Sequence, residues 1–188
     1  MTTYLNKQSS SRTTEKTSKT NLWFTDGSKT ESGTGIGISG PQTRISESLG
    51  KYPSIFQVEI LAIERCASIN LENGIRNIFT DSQAAVRALK SYTVNHKCVL
   101  SCIETLNTLG LDNKITIGWV PGHNGVRYNE IADKLAKHGA TTPFEGPEPG
   151  MGLGQSFLKS LRKNKVTEET NKYWVNLPTL RQYKLFLK

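Results

Sequence analysis

The amino-acid sequence predicts an α/β fold built on a mixed sheet of five strands that is flanked by helices. Three short apolar segments, over residues 22–25, 33–38 and 42–49, are separated by turn-forming residues, which indicates an antiparallel meander. From residue 54 onwards apolar residues recur at steps of three and four, the period of amphipathic helices, and strand-like segments alternate with these helices. The order β-β-β-α-β-α-α-β-α predicts a mixed sheet covered by helices.

Glycines mark the meander. Asp26-Gly27-Ser28 is expected to end the first strand, and Ser39-Gly40-Pro41 to end the second. The second strand itself contains Gly33, Gly35 and Gly37. Their spacing differs from G-x-G-x-x-G and no helix follows them. We therefore predict a glycine-rich strand here and not a nucleotide-binding loop.

The remaining elements follow from period and capping signals. The first helix is expected from Ser54 to about residue 69, with Asn73-Gly74 as its end. Asp81-Ser82 is a good N-terminal cap for the second helix. The last core helix is expected to carry three apolar residues on one face, namely Ile131, Leu135 and Ala136. The predicted bounds are strand 76–80, helix 82–90, helix 98–109, strand 114–120 and helix 129–138.

The chain is expected to contain one folded domain between basic flanks. We predict a Ser/Thr-rich tail over residues 1–20, the domain over 21–142, a Pro/Gly linker over 143–154 and a partly helical tail over 155–188. Lys and Arg against Asp and Glu number 4 to 1 in residues 1–20, 12 to 11 in 21–143 and 8 to 4 in 144–188. The flanks thus carry most of the net charge of +8, which favours contacts with nucleic acid phosphates. The alternative is a solvated tail that only aids solubility.

Composition excludes several classes of protein. No stretch is apolar enough to span a bilayer, and the N-terminus lacks the apolar region of a secretory signal. The odd count of three cysteines, without disulfide or metal spacing, predicts reduced and buried thiols. We expect an intracellular protein, in the nucleus or the cytoplasm, with no membrane partner.

Four acids interrupt the apolar pattern. Asp26 and Asp81 follow predicted strands, Glu59 has apolar neighbours on its helix, and Asp133 lies in the last core helix. A carboxylate that faces a core is costly unless it is paired or binds metal. Clustered carboxylates without matching cations would select a hard divalent ion such as Mg²⁺ or Mn²⁺. A pair of such ions supports in-line attack on phosphorus.

Each of these residues also has a structural interpretation. Taken alone, Asp26 and Asp81 are more typical of an ordinary turn and an N-cap, and Asp133 of a helix surface, than of a catalytic site. Glu59 alone fits a partly solvated helix position and a catalytic role equally well. His123, in a polar loop, is by itself an ordinary surface residue. The combination of residues is therefore more informative than any single one.

That combination resembles a known family. Its motifs, in order, are Phe24-Thr25-Asp26-Gly27-Ser28, Gln57-Val58-Glu59-Ile60-Leu61-Ala62, Phe79-Thr80-Asp81-Ser82-Gln83, Trp119-Val120-Pro121-Gly122-His123-Asn124-Gly125 and Asn129-Glu130-Ile131-Ala132-Asp133. They resemble the type 1 ribonuclease H family over about residues 21–142. The Pro121-Gly122-His123 segment and the closing residues 180–187 are most similar to ribonuclease H domains of non-LTR retrotransposon polyproteins.

The resemblance implies a ribonuclease H-like fold and an endonuclease that cuts the RNA strand of RNA–DNA hybrids. By this resemblance the metal-binding carboxylates are Asp26, Glu59, Asp81 and Asp133. His123 would assist proton transfer or product release, and Ser82 and Asn129 would contact substrate. Two Mg²⁺ ions are implied, with Mn²⁺ as a substitute, and the products would carry 3′-hydroxyl and 5′-phosphate ends.

The sequence also departs from the family pattern. The region over residues 91–109 is short and has Lys97 as its single Lys or Arg, so we expect the basic, DNA-gripping helix of some members to be absent. We expect a monomer that is either part of a larger retroelement polyprotein or a standalone gene derived from one. The alternative functions are a non-catalytic nucleic-acid-binding remnant of a retroelement and another nuclease or integrase on the same fold. Intact carboxylates disfavour the remnant.

Overall fold

The computed structural model describes residues 21–69, 74–122, 125–147, 150 and 152–176. The strands are β1 (Leu22–Lys29), β2 (Thr34–Ser39), β3 (Arg44–Gly50), β4 (Ile75–Thr80) and β5 (Lys114–Trp119). The helices are α1 (Ile55–Ser68), α2 (Gln83–Lys90), α3 (Lys97–Leu109), α4 (Arg127–Thr141) and α5 (Gln155–Asn176). The chain divides into two compact units, residues 1–152 and 153–188.

The first unit contains the predicted mixed sheet, with strand order β3-β2-β1-β4-β5. β1 pairs with β2 and β2 with β3 in the antiparallel direction, whereas β4 is parallel to both β1 and β5. The fold class predicted from the sequence is therefore confirmed. Because β1 lies at the centre, its residues are the meeting point of the antiparallel and parallel halves.

The predicted end of β1 at Asp26 is wrong, since the strand continues to Lys29. Pairing with β4 stops at Thr25 opposite Thr80, but pairing with β2 continues from Asp26 opposite Gly37 to the end of the strand. The Asp-Gly-Ser segment has the composition of a turn, and its partner strand overrides that local preference. Asp26 therefore lies inside an ordered strand, one residue beyond the parallel pairing.

α1 packs on one face of the sheet and begins with a capping box. The Ser54 hydroxyl accepts from the Gln57 backbone N–H, and the Gln57 side chain accepts from the Ser54 N–H. At its C-terminal end the buried Arg76 guanidinium donates to the carbonyls of Cys66, Ala67 and Ile69. The helix ends at Ser68, before the predicted end at Asn73-Gly74, of which Asn73 lies outside the described residues.

α4 packs on the opposite face, against the backbone of β2. A Cβ atom added at Gly35 would lie 2.2 Å from the Ala140 backbone nitrogen, and one at Gly37 would lie 2.0 Å from the Ala132 carbonyl oxygen. The inward face of α4 is accordingly made of small residues. Of the three apolar residues predicted to share one face of this helix, Ala136 is buried, and Ile131 and Leu135 are half-buried. The fully buried positions are Asn129, Ala132, Ala136, Gly139 and Ala140.

The described part of the second unit is α5, a continuous helix of 22 residues. Lys159, Arg162, Lys163 and Lys165 are exposed in its first half. Within the described part of the chain, no helix is both long and apolar enough to cross a membrane.

Candidate active site

Three carboxylates converge at the edge of the sheet where β1 and β4 stop pairing. Asp26 comes from β1, Asp81 directly follows β4, and Glu59 extends from α1. One carboxylate oxygen from each residue lies within 4.8 Å of the other two. The exposed fraction is 6% for Asp26 and 7% for Glu59, so two of the three charges are placed out of water.

Gly27 allows Glu59 to reach this edge. A Cβ atom at Gly27 would lie 3.1 Å from the Glu59 backbone nitrogen and 3.2 Å from its Cδ atom. The Gly27 backbone also donates a hydrogen bond to the Glu59 carboxylate. A side chain at this position would crowd α1 and the Glu59 carboxyl group, which would have to shift by a few tenths of an ångström to admit it.

Asp133 lies beside the three-carboxylate cluster, on α4. It makes a side-chain hydrogen bond with Asp26, and its Oδ2 accepts a 2.7 Å bond from the Lys137 ammonium group. Asp133 is not among the three acids whose oxygens meet within 4.8 Å. The structure thus brings all four predicted carboxylates to one region. Asp26 belongs to the three-carboxylate cluster and also contacts Asp133.

Burial and like charge perturb two of these acids strongly. Desolvation, followed by repulsion from Asp81 and Asp133, raises the pKa of Asp26 from 3.8 to about 7. Desolvation, followed by repulsion from Asp26 and Asp81, raises the pKa of Glu59 from 4.5 to about 9. Among the described residues no Lys or Arg forms an ion pair with Asp26, Glu59 or Asp81. The cluster is therefore short of positive charge.

Neighbouring groups hold Asp81 in place. The Trp119 indole Nε1 donates to the Asp81 backbone carbonyl at 3.0 Å, and the Asn129 amide Nδ2 donates to its Oδ2 at 3.4 Å. A Cβ atom at Gly122 would lie 2.8 Å from the same Oδ2. The loop after β5 thus passes directly over the carboxylate.

The comparison with known families identifies this arrangement. A family model described as RNase H matches residues 18–141. The chain belongs to the RNase H family. No curated protein matches the chain. Membership implies hydrolysis of the RNA strand of RNA–DNA hybrids, and the RNase H family uses divalent metal ions.

The RNase H carboxylates have the chemistry of a divalent metal site. The donors are all carboxylate oxygens, two of them from buried side chains, and hard ions such as Mg²⁺ and Mn²⁺ prefer such ligands. A dication would also relieve the repulsion that raises the pKa values of Asp26 and Glu59. The residues present therefore fit a metal ion, while the identity of that ion stays a prediction.

The three other predicted site residues of this RNase H chain have different positions. Ser82 is the N-cap of α2, and its hydroxyl accepts from the Ala85 N–H. Asn129 is only 3% exposed, and its Oδ1 has no partner among the described groups. His123 lies outside the described residues.

Sequence reasoning missed four groups that shape the RNase H site. They are Gly27, Gly122, Trp119 and Lys137. The two glycines belong to the quoted motifs but were assigned no role, and Lys137 is four residues after Asp133, the spacing of helical ion pairs. No local signal marks the Trp119 contact, because its partner is 38 residues away.

Proposed function

We propose that the chain is an active endonuclease that hydrolyses the RNA strand of RNA–DNA hybrids and leaves 3′-hydroxyl and 5′-phosphate ends. One observation carries this proposal: Asp26, Glu59 and Asp81 meet within 4.8 Å without a pairing cation among the described residues. A protein that only bound nucleic acid would gain nothing from clustered negative charge, since it repels phosphate. Such a cluster is useful when it holds divalent ions.

The carboxylates would hold two Mg²⁺ ions, for which Mn²⁺ could substitute. Asp26 is the shared residue in this proposal, because it contacts Asp133 on one side and lies within 4.8 Å of Glu59 and Asp81 on the other. When bound, such ions activate a water and stabilise the leaving oxygen of a phosphodiester. The Asn129 amide bonds to the Asp81 carboxylate and the Trp119 indole to the Asp81 backbone carbonyl, so both contacts support the placement of this ligand.

The remaining residues act at the substrate. We assign proton transfer or product release to His123. The Ser82 oxygen accepts a helix-capping bond, which leaves its hydroxyl proton for a substrate atom. A substrate contact is assigned to Asn129 from the family resemblance, while in this structure its amide Nδ2 donates to the Asp81 Oδ2. Recognition depends on strand geometry and the RNA 2′-hydroxyls and not on base sequence.

The basic flanks would contact nucleic acid phosphates independently of sequence. Their excess of Lys and Arg, +3 over residues 1–20 and +4 over 144–188, is larger than that of the core. The similarity of residues 121–123 and 180–187 to retrotransposon ribonuclease H domains supports an origin in a retroelement.

Cleavage of a labelled RNA–DNA hybrid tests the proposal. The hybrid is incubated with the full chain and Mg²⁺ or Mn²⁺, beside an EDTA control, a DNA duplex and an RNA duplex. We expect metal-dependent loss of the RNA strand of the hybrid alone. Binding of the hybrid without cleavage under either metal would favour the non-catalytic remnant, and cleavage of the DNA duplex would favour another nuclease.

The Asp26→Asn variant links cleavage to the site. We expect it to lose cleavage while it remains folded, because removing one buried like charge relieves repulsion. Circular dichroism and thermal unfolding in EDTA monitor the fold. A folded variant that cuts the hybrid at the wild-type rate would refute the metal assignment.

A further inference from the structure

Thr80, the last residue of β4, forms a side-chain hydrogen bond with one of the clustered carboxylates. Its side chain is fully buried, with an exposed fraction of 0%. The Thr80 Oγ1 donates to the Glu59 Oε2 at 3.4 Å and accepts from the Ser82 backbone N–H at 3.1 Å. One hydroxyl thus joins the end of β4, the cap of α2 and the carboxylate carried by α1.

The geometry fixes the direction of this hydroxyl. A threonine hydroxyl has one proton and two acceptor lone pairs. Because the Ser82 N–H occupies an acceptor lone pair, the proton is free to point at Glu59. The Gly27 backbone is the second donor to the same carboxylate. Glu59 is therefore held by one group next to Asp26 and one group next to Asp81.

We propose that Thr80 is a positioning residue, whose hydroxyl orients the Glu59 carboxylate toward Asp26 and Asp81 for metal binding. The inference rests on the proposed metal site. Groups that hydrogen-bond to a metal ligand fix its orientation, and their removal typically weakens metal binding by about 10- to 100-fold. Without the hydroxyl, Glu59 keeps one donor among the described residues, the Gly27 backbone on the β1 side, and rotation about its side-chain bonds is less restricted.

The test compares three variants of the full chain by calorimetric titration with Mn²⁺ alone. Thr80→Val removes the hydroxyl and keeps the branched shape, whereas Thr80→Ser retains the hydroxyl. Thr34→Val is the matched control, since Thr34 is equally buried and its Oγ1 donates to the Gly50 carbonyl at 2.8 Å, away from the acids. We expect Thr80→Val to bind Mn²⁺ about tenfold more weakly than wild type. Thr80→Ser and Thr34→Val should bind within about twofold of wild type.

Equal Mn²⁺ affinities for Thr80→Val and Thr34→Val would overturn the inference, since loss of any buried threonine hydroxyl would then have the same effect. A double-mutant cycle makes the test specific to Glu59. In a Glu59→Gln background Thr80→Val should have a smaller effect than in wild type, and the same fold-loss in both backgrounds would place its action elsewhere.

Cleavage assays separate this inference from the proposed function. If wild type binds Mn²⁺ with the expected pattern of variants but cuts no hybrid, the proposed hydrolysis fails and the role of Thr80 stands. If wild type binds no Mn²⁺, the positioning role is refuted together with the metal site.

Discussion

Replacing Glu59 by glutamine is expected to stabilise the metal-free protein at neutral and alkaline pH. Burial raises the pKa of Glu59 from 4.5 to about 9, with a further contribution from repulsion by Asp26 and Asp81. Between these two values the unfolded chain has lost the proton that the folded chain keeps. The free energy of unfolding therefore falls as pH rises through this window. Glutamine does not ionise, so in the Glu59→Gln variant residue 59 no longer contributes to the pH dependence of the free energy of unfolding.

The magnitude follows from the two pKa values. At pH 7 the difference between 4.5 and 7 corresponds to about 3 kcal/mol of lost stability, and the slope is about 1.4 kcal/mol per pH unit. Asp26 adds a slope of the same sign between its ordinary value of 3.8 and about 7. Wild type should therefore lose stability from neutral to alkaline pH, and the margin by which Glu59→Gln exceeds it should grow up to about pH 9.

Urea denaturation in EDTA, at intervals between pH 5.5 and 8.5, measures this difference. Glu104→Gln is the matched control, because Glu104 is exposed on α3 and should leave the wild-type slope unchanged. Addition of Mg²⁺ should stabilise wild type more than Glu59→Gln, since ligand binding to the folded state raises its stability. A wild-type stability that is flat or rises with pH in EDTA, or a variant less stable than wild type at pH 8, would refute the reasoning.

Gly27→Ala is expected to weaken Mn²⁺ binding about tenfold, because the added Cβ would lie 3.2 Å from the Glu59 Cδ. Calorimetry with Gly150→Ala as control, where a Cβ meets nothing within 4 Å, checks this, and equal affinities would contradict it. Gly37→Ala should lower the free energy of unfolding by about 3 kcal/mol, since its Cβ would lie 2.0 Å from the Ala132 carbonyl oxygen; unchanged urea denaturation would show that α4 tolerates a side chain there. Neutralising the basic residues of α5 to glutamine should reduce the salt slope of hybrid binding by about 0.9 per lost phosphate contact, and an unchanged slope would mean that α5 does not contact phosphates. The residues to change are Lys159, Arg162, Lys163 and Lys165.

The spacing of apolar residues, together with the turn-forming and helix-capping residues, was sufficient to predict the fold class and most elements. The change from short apolar segments to a step of three and four residues at Ser54 predicted both the meander and the start of the helices. The fold around Asp26 was harder, because Asp26-Gly27-Ser28 has the local composition of a turn. The continued pairing with β2 shows that this segment is part of a strand. The residues next to it in the sequence contain no information on that partner strand.

The candidate site was predictable as a set of residue types but not as a geometry. The order of the motifs in the sequence was enough to predict that Asp26, Glu59 and Asp81 belong to one site. The contribution of Thr80 could not be predicted, because a buried strand threonine is ordinary and its partner is 21 residues away. The glycines of β2 were correctly separated from a nucleotide-binding loop, yet their contact with α4 depends on a helix about a hundred residues later in the chain.

The two faces of the sheet should differ in how freely their sequences can drift. On the α1 side the core consists of interlocking side chains such as Val58, Ile63 and Ile78, where a larger residue at one position can be offset by a smaller one at another. On the α4 side, the three atoms nearest to a Cβ added at Gly35 or at Gly37 all belong to the helix backbone, which cannot shrink in exchange. Compensated substitutions are thus available on the α1 side of the sheet but not at these two glycines on the α4 side. The α4 side is also the one that carries Asp133.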